Sequence, residues 1–420
     1  MHTLSLSLVA LTAYLLVHAA EFWLGFLNQT HMKKHGTKVP PGFEGHVDEE
    51  VLKKTISYTA ERNRLGVIES AFSSLVLIAF IYAGVLDWYN NRINALGLPF
   101  VLQGVVFFLL LSFVNTLLSI PFSLYSTFKI EDKYGFNTMN IRLWLTDLVK
   151  SLLISWVLMT VVLSASFWLM QLSPDRWWLF VWGLFFVFSI FMMYVSPYVI
   201  EPLFNKFTPL EGHELEDRLR TVMEKAGITV SRVFTMDASK RSGHTNAYFT
   251  GIGRVKRIVL FDTLLKKMDA DEIVAVLAHE AGHWKKKHVL RMIAVFEALA
   301  LVGAWAVSRL LQTDLLSRAF GIQSPTVFSD LLLIGFLFGI VSFPATPLFS
   351  AFSRRHEREA DSFASEISGR PDSLASSLIK LSKDNLSNLF PHPLYAWFYY
   401  SHPPVVERVR ALKETGRNHA

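Results

Sequence analysis

The sequence has no cysteine in its 420 residues. Disulfide bonds, thiolate metal sites and cysteine nucleophiles are therefore excluded. Charged residues make up only 18% of the chain, whereas 51% of the residues are hydrophobic and 14% are aromatic. This composition is too apolar for an ordinary soluble protein of this length. The net charge of +6 is modest. Because no basic stripe has the frame of a nucleic-acid-binding motif, we expect no nucleic acid partner.

Seven apolar runs are long enough to span a lipid bilayer. They cover about residues 4–26, 66–88, 98–122, 148–171, 177–199, 289–311 and 329–352. We interpret the first run as an uncleaved span and not as a signal peptide, because no Lys or Arg precedes it. The sequence thus predicts a mainly α-helical, multi-pass integral membrane protein.

Lys and Arg are concentrated in the connections that follow spans one and three, and they are sparse after spans two, four and six. The positive-inside rule then places the odd-numbered connections and the C-terminus in the cytoplasm, with the N-terminus outside or in a lumen. A bacterial inner membrane and the endoplasmic reticulum both fit this orientation. With seven spans, the connection between spans five and six lies on the same side as the C-terminal tail.

The connection before span six contains a metal-binding pattern. Residues 271–285 have an apolar stripe at helical spacing, and His279 and His283, four residues apart, project from one face of that helix. Glu280 is turned roughly 100° from His279, close enough to take a proton from a water molecule at the metal. Zinc hydrolysis needs neutral nitrogen ligands, an open coordination position and a carboxylate base. We therefore predict one zinc ion per chain.

A catalytic zinc site takes a third protein ligand. The best candidate lies in residues 353–364, which also have a helical pattern. Glu357 and Asp361 share one face of this helix, whereas Glu359 is rotated by about 200° from Glu357. Glu357 is the candidate ligand, and Asp361 can orient a ligating imidazole. A solvated charged helix with internal salt bridges is the alternative interpretation.

The main soluble segment is predicted at 201–288. Its pattern indicates a helix at 215–226, a strand at Thr229–Met236 and a hairpin of 246–251 with 257–262 across 251–253. Zinc proteases commonly hold substrate as an added strand at a sheet edge. The candidate edge strand consists of Asn246, Ala247, Tyr248 and Phe249, although an ordinary strand without a substrate role fits as well.

We expect four units. Residues 1–200 hold spans one to five, 201–288 the soluble protease segment, 289–352 spans six and seven, and 353–420 the C-terminal segment with the third zinc ligand.

From about Ser126 onward the chain resembles the type I CaaX prenyl proteases, a family of integral-membrane zinc endopeptidases. The motifs that carry the resemblance are 127–137, 202–210, 239–242, 244–249, 256–265, the metal helix, 353–364 and 400–404. The resemblance implies seven long helices enclosing a water-filled chamber, with a zinc protease site and a small β-hairpin or sheet on the cytoplasmic side. It also implies removal of the C-terminal tripeptide from peptides or proteins prenylated at a C-terminal Cys.

The resemblance further assigns roles to individual residues. It implies zinc ligation by His279, His283 and Glu357, with Glu280 as general base. His402 is implied as an electrophile near the developing oxyanion, and Asn246 as a contact to the substrate backbone. Asp361 and Arg408 are implied as supports behind the ligands.

Two groups of alternatives stay open from the sequence. One is a zinc protease for membrane-protein quality control, without specificity for prenyl groups. The other is a protein without catalysis. A transporter fits the spans but leaves the metal helix unexplained, and an inactive scaffold conflicts with the presence of every expected catalytic residue.

Overall fold

The computed structural model describes residues 2–210, 214–250 and 255–419. Most of these residues are helical. The helices are α1 (His2–His35), α2 (Glu49–Tyr82), α3 (Val85–Asn94), α4 (Phe100–Tyr125), α5 (Asp132–Tyr134), α6 (Ile141–Leu172), α7 (Trp177–Val195), α8 (Glu201–Phe204), α9 (Glu214–Lys225), α10 (Asp262–Lys267), α11 (Ala270–Lys285), α12 (His288–Leu310), α13 (Leu315–Phe320), α14 (Val327–Ser342), α15 (Thr346–Ser368), α16 (Pro371–Asp384), α17 (Pro393–Tyr399) and α18 (Val405–His419). The π-helical segments Ser126–Glu131 and Ser196–Ile200 extend α4 and α7, and short 3-10 turns occupy Ala238–Lys240 and Phe343–Ala345.

Within the described residues, seven helical stretches are long and apolar enough to cross a membrane. They are Leu6–His35, Glu49–Tyr82, Phe100–Tyr134, Ile141–Leu172, Trp177–Phe204, His288–Leu310 and Val327–Ser368. Large apolar side chains such as Leu75, Phe338 and Val341 are exposed on these helices, as contact with lipid requires. The predicted fold class of a seven-span helical membrane protein is confirmed. The water-filled chamber stays a prediction.

The predicted bounds of the second span are wrong. The apolar run predicts a span at 66–88, but α2 runs from Glu49 to Tyr82. The side chain of Asp48 caps α2 by accepting a hydrogen bond from the Val51 amide. Beyond its end, Gly84 has a left-handed backbone (φ 78°), which separates α2 from α3. Hydropathy gave no sign of this break, because Val85 and Leu86 continue the apolar run.

A four-stranded sheet forms the centre of the soluble segment. Its strands are β1 (Phe207–Pro209), β2 (Thr229–Met236), β3 (Ala247–Thr250) and β4 (Val255–Phe261), in the order β1-β2-β4-β3. β2 and β4 are parallel, and β3 pairs antiparallel with β4. The predicted hairpin pairing is present, although its turn at 251–253 lies outside the described residues. Within the described sheet, β3 is an edge strand.

The sheet is anchored to two helices by a shared apolar core. Leu219 and Met223 of α9 and Leu277 of α11 are buried in one cluster with Ile258 and Leu260 of β4. The strand predicted at Thr229–Met236 has those bounds in the structure, and the helix predicted at 215–226 is α9. This packing fixes α11 against the sheet.

Candidate metal centre

The start of α11 is held by a network of polar contacts. Asp269 and Glu272 form a capping box, in which each side chain accepts a hydrogen bond from the other residue's backbone amide. The buried Glu272 carboxylate also contacts Lys380 and Ser376 of α16, at 2.7 and 2.6 Å. The helix that carries the two histidines is therefore rigidly placed by both its apolar face and its N-terminus.

Gly282 allows α15 to lie directly against α11. A Cβ atom at this position would lie 2.9 Å from the Cα atom of Ala360, too close for any other residue without a shift of backbone. This close approach puts Glu357, one turn before Ala360, beside the histidines of α11. The glycine of the His-Glu-x-x-His segment thus has a packing role that the sequence pattern alone did not indicate.

His279, His283 and Glu357 come together as a group able to hold a metal ion. The two Nε2 atoms lie 3.2 Å apart, and the Glu357 oxygens lie 3.4 Å from His279 Nε2 and 3.2 Å from His283 Nε2. Zinc ligands at about 2.0–2.1 Å in a tetrahedral arrangement are separated by about 3.3 Å. The distance between the two Nε2 atoms therefore fits one edge of a zinc coordination tetrahedron, and each of them lies at a similar distance from one oxygen of Glu357.

Two further observations fit a cation at this point. Glu357 Oε2 is buried and accepts no hydrogen bond within the described part of the chain, although Arg408 Nη1 lies 3.4 Å away and offsets part of its charge. A buried carboxylate oxygen without a hydrogen bond is costly, and a bound cation would lower that cost. Although burial alone would lower it, hydrogen bonds with Asp361 and Glu357 raise the pKa of His279 to about 9. The carboxylates around His279 thus favour positive charge in this part of the protein.

His279 is oriented by Asp361 and Arg408. Its Nδ1 lies 2.8 Å from Asp361 Oδ1, and Arg408 donates two hydrogen bonds to the Asp361 carboxylate, at 2.6 and 2.8 Å. Burial lowers the pKa of the Arg408 guanidinium, but the contacts with Asp361 outweigh burial and raise this pKa above its usual value. Arg408 Nη1 also lies 3.4 Å from Glu357 Oε2. One arginine of α18 therefore stabilises the carboxylates of α15.

His283 is oriented by a different chain of contacts, which sequence reasoning missed. Its Nδ1 lies 3.1 Å from Nδ1 of the buried His288, and His288 Nε2 lies 3.1 Å from Glu359 Oε2. The His288 ring also stacks on His356 at 4.0 Å between centroids. Lys287 makes this possible through a left-handed backbone (φ 57°) between α11 and α12. Glu359, placed away from Glu357 by helical geometry, thus reaches the same centre through His288.

Glu280 and His402 lie beside the metal-binding group. The Glu280 carboxylate makes no direct hydrogen bond or ion pair within the described part of the chain, and burial raises its pKa. His402 Nε2 lies 3.3 Å from Glu357 Oε1, although His402 is far from α11 in sequence. The Ser401 hydroxyl is 2.8 Å from His402 Nδ1. A carboxylate able to accept a proton and an imidazole able to donate a hydrogen bond therefore flank the centre.

The candidate substrate strand contacts the helix that carries the two histidines. Ala247, Tyr248 and Phe249 belong to the edge strand β3, which packs against α11. Asn246 is exposed just before β3, and its side chain accepts a hydrogen bond from the Ala247 amide. The Tyr248 hydroxyl is bonded to Glu201, 2.6 Å away. The residues of the candidate substrate strand thus lie at an edge of the sheet against which α11 packs.

Comparison with known proteins agrees with this arrangement. Residues 28–206 match the family described as CAAX prenyl protease N-terminal, five membrane helices, and residues 209–416 match peptidase family M48. CAAX prenyl protease 1 of Saccharomyces cerevisiae is 33% identical over 411 residues, covering 91% of this chain and 90% of the yeast protein. An uncharacterized metalloprotease of Bacillus subtilis is 30% identical over 404 residues, covering 95% and 94%.

A solved structure is also similar. The crystal structure of S. mikatae Ste24p has a TM-score of 0.89 and 30% sequence identity, covering 96% of this chain and 98% of that chain.

Proposed function

This chain belongs to peptidase family M48 and is an integral-membrane zinc metalloendopeptidase, and on that premise we propose that it removes the C-terminal tripeptide of prenylated CaaX substrates. The observation that carries the proposal is the approach of His279, His283 and Glu357 within reach of one metal ion. The substrate class is supported by full-length similarity to relatives named CAAX prenyl protease 1.

We propose zinc ligation by the three residues of that group. Zinc, when bound, lowers the pKa of a water molecule and polarises the scissile carbonyl. Glu280 accepts the proton of the attacking water and then delivers it to the leaving amine. Burial raises the pKa of Glu280, which makes the carboxylate a stronger base for the first step.

His402 is proposed to stabilise the transition state. We propose that the Ser401 hydroxyl donates to His402 Nδ1, since the proton is then on Nε2, the nitrogen that lies 3.3 Å from Glu357 Oε1. Negative charge grows on the carbonyl oxygen as water adds to the peptide bond. A donor placed there binds the transition state more strongly than the substrate.

The substrate is proposed to lie along β3. Added to this exposed edge, its backbone would continue the sheet beside α11, with Asn246 at one end of the contact. Asp361 and Arg408 keep His279 and Glu357 in the geometry that the metal requires.

The protein is integral to a membrane and crosses it several times. We propose that the N-terminus is outside or lumenal and that the metal centre and C-terminus face the cytoplasm, because Lys and Arg are concentrated in the odd-numbered connections. The four units at 1–200, 201–288, 289–352 and 353–420 are proposed as the functional division of the chain, with the metal centre built from the second and fourth.

A second candidate function is a zinc protease for membrane proteins that does not require a prenyl group. It is favoured by one observation: the similar Bacillus subtilis protein, known only as a metalloprotease, matches over nearly the whole chain.

A direct test compares one CaaX peptide with and without a farnesyl group on its cysteine. The purified protein should contain about one zinc per chain, and mass spectrometry should show release of the last three residues from the farnesylated peptide. A chelator should remove zinc and activity together. Equal cleavage of both peptides would favour the second candidate, and cleavage at unrelated positions would refute tripeptide removal.

A further inference from the structure

A cavity of about 690 Å³ opens beside the metal centre. Its wall is formed by the Tyr58–Asn63 turn of α2, by the end of α16 with the turn that follows it, and by the connection from α17 to α18. His402, which lies 3.3 Å from Glu357, and Arg408, which binds Asp361, are both on this wall, so the cavity adjoins the metal centre. Its volume is in the range of cavities that bind small ligands and short peptides.

The charge of the cavity wall has one sign. Among the described residues that line it, Arg62 and Arg408 are cationic, and none is acidic. Arg408 already binds both oxygens of Asp361. The Arg62 side chain is 56% exposed; it donates to the Tyr58 hydroxyl at 3.1 Å and lies 3.9 Å from Glu131, at the outer limit of an ion pair. Its remaining donors are available to an anion, and a guanidinium binds a carboxylate through two parallel hydrogen bonds.

The cavity also reaches the beginning of β3. Asn385 lines the cavity, and its Oδ1 lies 2.8 Å from Nδ1 of His244, two residues before Asn246. A strand that adds antiparallel to β3 has its C-terminal part at this end, and antiparallel pairs are the commoner kind. The next wall residue, Leu386, has a left-handed backbone (φ 48°), a strained conformation often found at binding sites.

These observations indicate which end of the bound substrate lies in the cavity. We propose that the cavity holds the segment C-terminal to the cut and that Arg62 binds the free carboxylate at its end. The inference rests on the proposed function and specifies how it recognises a chain terminus. An enzyme that releases a tripeptide must recognise a bond at a short distance from the C-terminus, and a cation on the cavity wall that binds the terminal carboxylate would set that distance.

The test uses one farnesylated CaaX peptide made in two forms, with a free C-terminal carboxylate and with a C-terminal amide. Both are assayed with the full-length wild type, Arg62→Gln, Arg62→Lys and the matched control Arg64→Gln. Arg64 is exposed on the same helix and lies outside the cavity wall. A hydrogen-bonded charge pair is worth about tenfold or more in binding.

We expect the wild type and Arg64→Gln to prefer the acid about tenfold in kcat/KM, mainly through KM. Arg62→Gln should lose this preference by cleaving the acid more slowly and the amide at the wild-type rate, and Arg62→Lys should keep part of it. Unimpaired cleavage of the amide shows that the variant is folded and loaded with zinc.

The inference is overturned if the wild type cleaves both forms equally, which is also the result for a cavity that binds a lipid phosphate. It is equally overturned if Arg62→Gln keeps the wild-type preference. A wild type that cleaves neither peptide would instead refute the proposed function, and the inference with it.

Discussion

His279 Nδ1 lies 2.8 Å from Asp361 Oδ1, so the imidazole is turned with its Nε2 toward His283 and Glu357. The two histidines of α11 are held in different ways. A carboxylate orients His279 directly, whereas His283 contacts a second imidazole that is itself bound to a carboxylate. Because His283 presents Nε2 to the metal group, its Nδ1 carries the hydrogen and donates a hydrogen bond to His288.

Glu280→Gln should retain zinc and lose at least about a hundredfold in turnover. The three ligands are untouched, but the amide cannot accept the proton of the attacking water. Zinc content and turnover are to be measured on one preparation. Near-normal activity of metal-loaded protein would contradict the role of Glu280 as base.

Glu357→Ala should lower bound zinc below one per chain, because it removes one of three ligands from the group. Glu366→Ala, an exposed change on the same helix, is the matched control and should keep the metal. Metal analysis after dialysis measures both. Full zinc occupancy in Glu357→Ala would show that another residue completes the site.

His288→Phe should weaken zinc binding by about ten- to a hundredfold, since second-layer contacts to metal-binding histidines typically contribute on that scale. Phenylalanine keeps an aromatic ring that can stack on His356 but cannot accept a hydrogen bond from His283. Glu359→Ala should act in the same direction, whereas Glu359→Gln retains an oxygen that accepts from His288.

The control for this chain of contacts is His356→Phe. It preserves the stacked ring and leaves both hydrogen bonds of His288 intact. Zinc affinity, measured by competition with a chelator, should be unchanged in this variant. If His288→Phe also binds zinc as tightly as the wild type, the His288 contact does not position His283.

His402→Ala should keep zinc and bind substrate almost normally but lose about a hundred- to thousandfold in turnover, or ~3–4 kcal/mol of transition-state stabilisation. A purely structural histidine in the turn before α18 would lower the melting temperature instead. Melting temperature, zinc content and turnover measured together separate the two roles. Intact turnover per folded molecule would exclude a catalytic one.

A reporter fused after Ala420 should be found in the cytoplasm, and one fused before Met1 on the opposite side. Seven spans put the termini on different sides, and the distribution of Lys and Arg sets which is which. Both termini on the same side would contradict the proposed orientation.

Much of the site could be predicted because it follows from helix periodicity. The spacing of His279 and His283, and of Glu357 and Asp361, determines which side chains share a face whatever the helices pack against. The seven spans were found for a similar reason, since length and hydropathy are local properties. Contacts between segments that are distant in the chain have no comparable local pattern in the sequence.

The contacts that link His283 to Glu359 through His288 could not be predicted from the sequence. Its position depends on the left-handed backbone of Lys287, a residue type for which that conformation is uncommon. Glu359 faces away from Glu357 on α15, so helical geometry excluded it from the ligand set but could not show that His288 lies between it and His283. The end of α2 was misplaced for a comparable reason, because the turn at Gly84 interrupts an apolar run.

The metal-binding group is divided between α11 and α15, with α12, α13 and α14 between them in the chain. During synthesis the two histidines leave the ribosome well before Glu357 does. A nascent or truncated chain therefore holds only part of the coordination set and lacks Asp361 and Arg408 as well. The metal-binding group is complete only after α15 has been synthesised and has packed against α11.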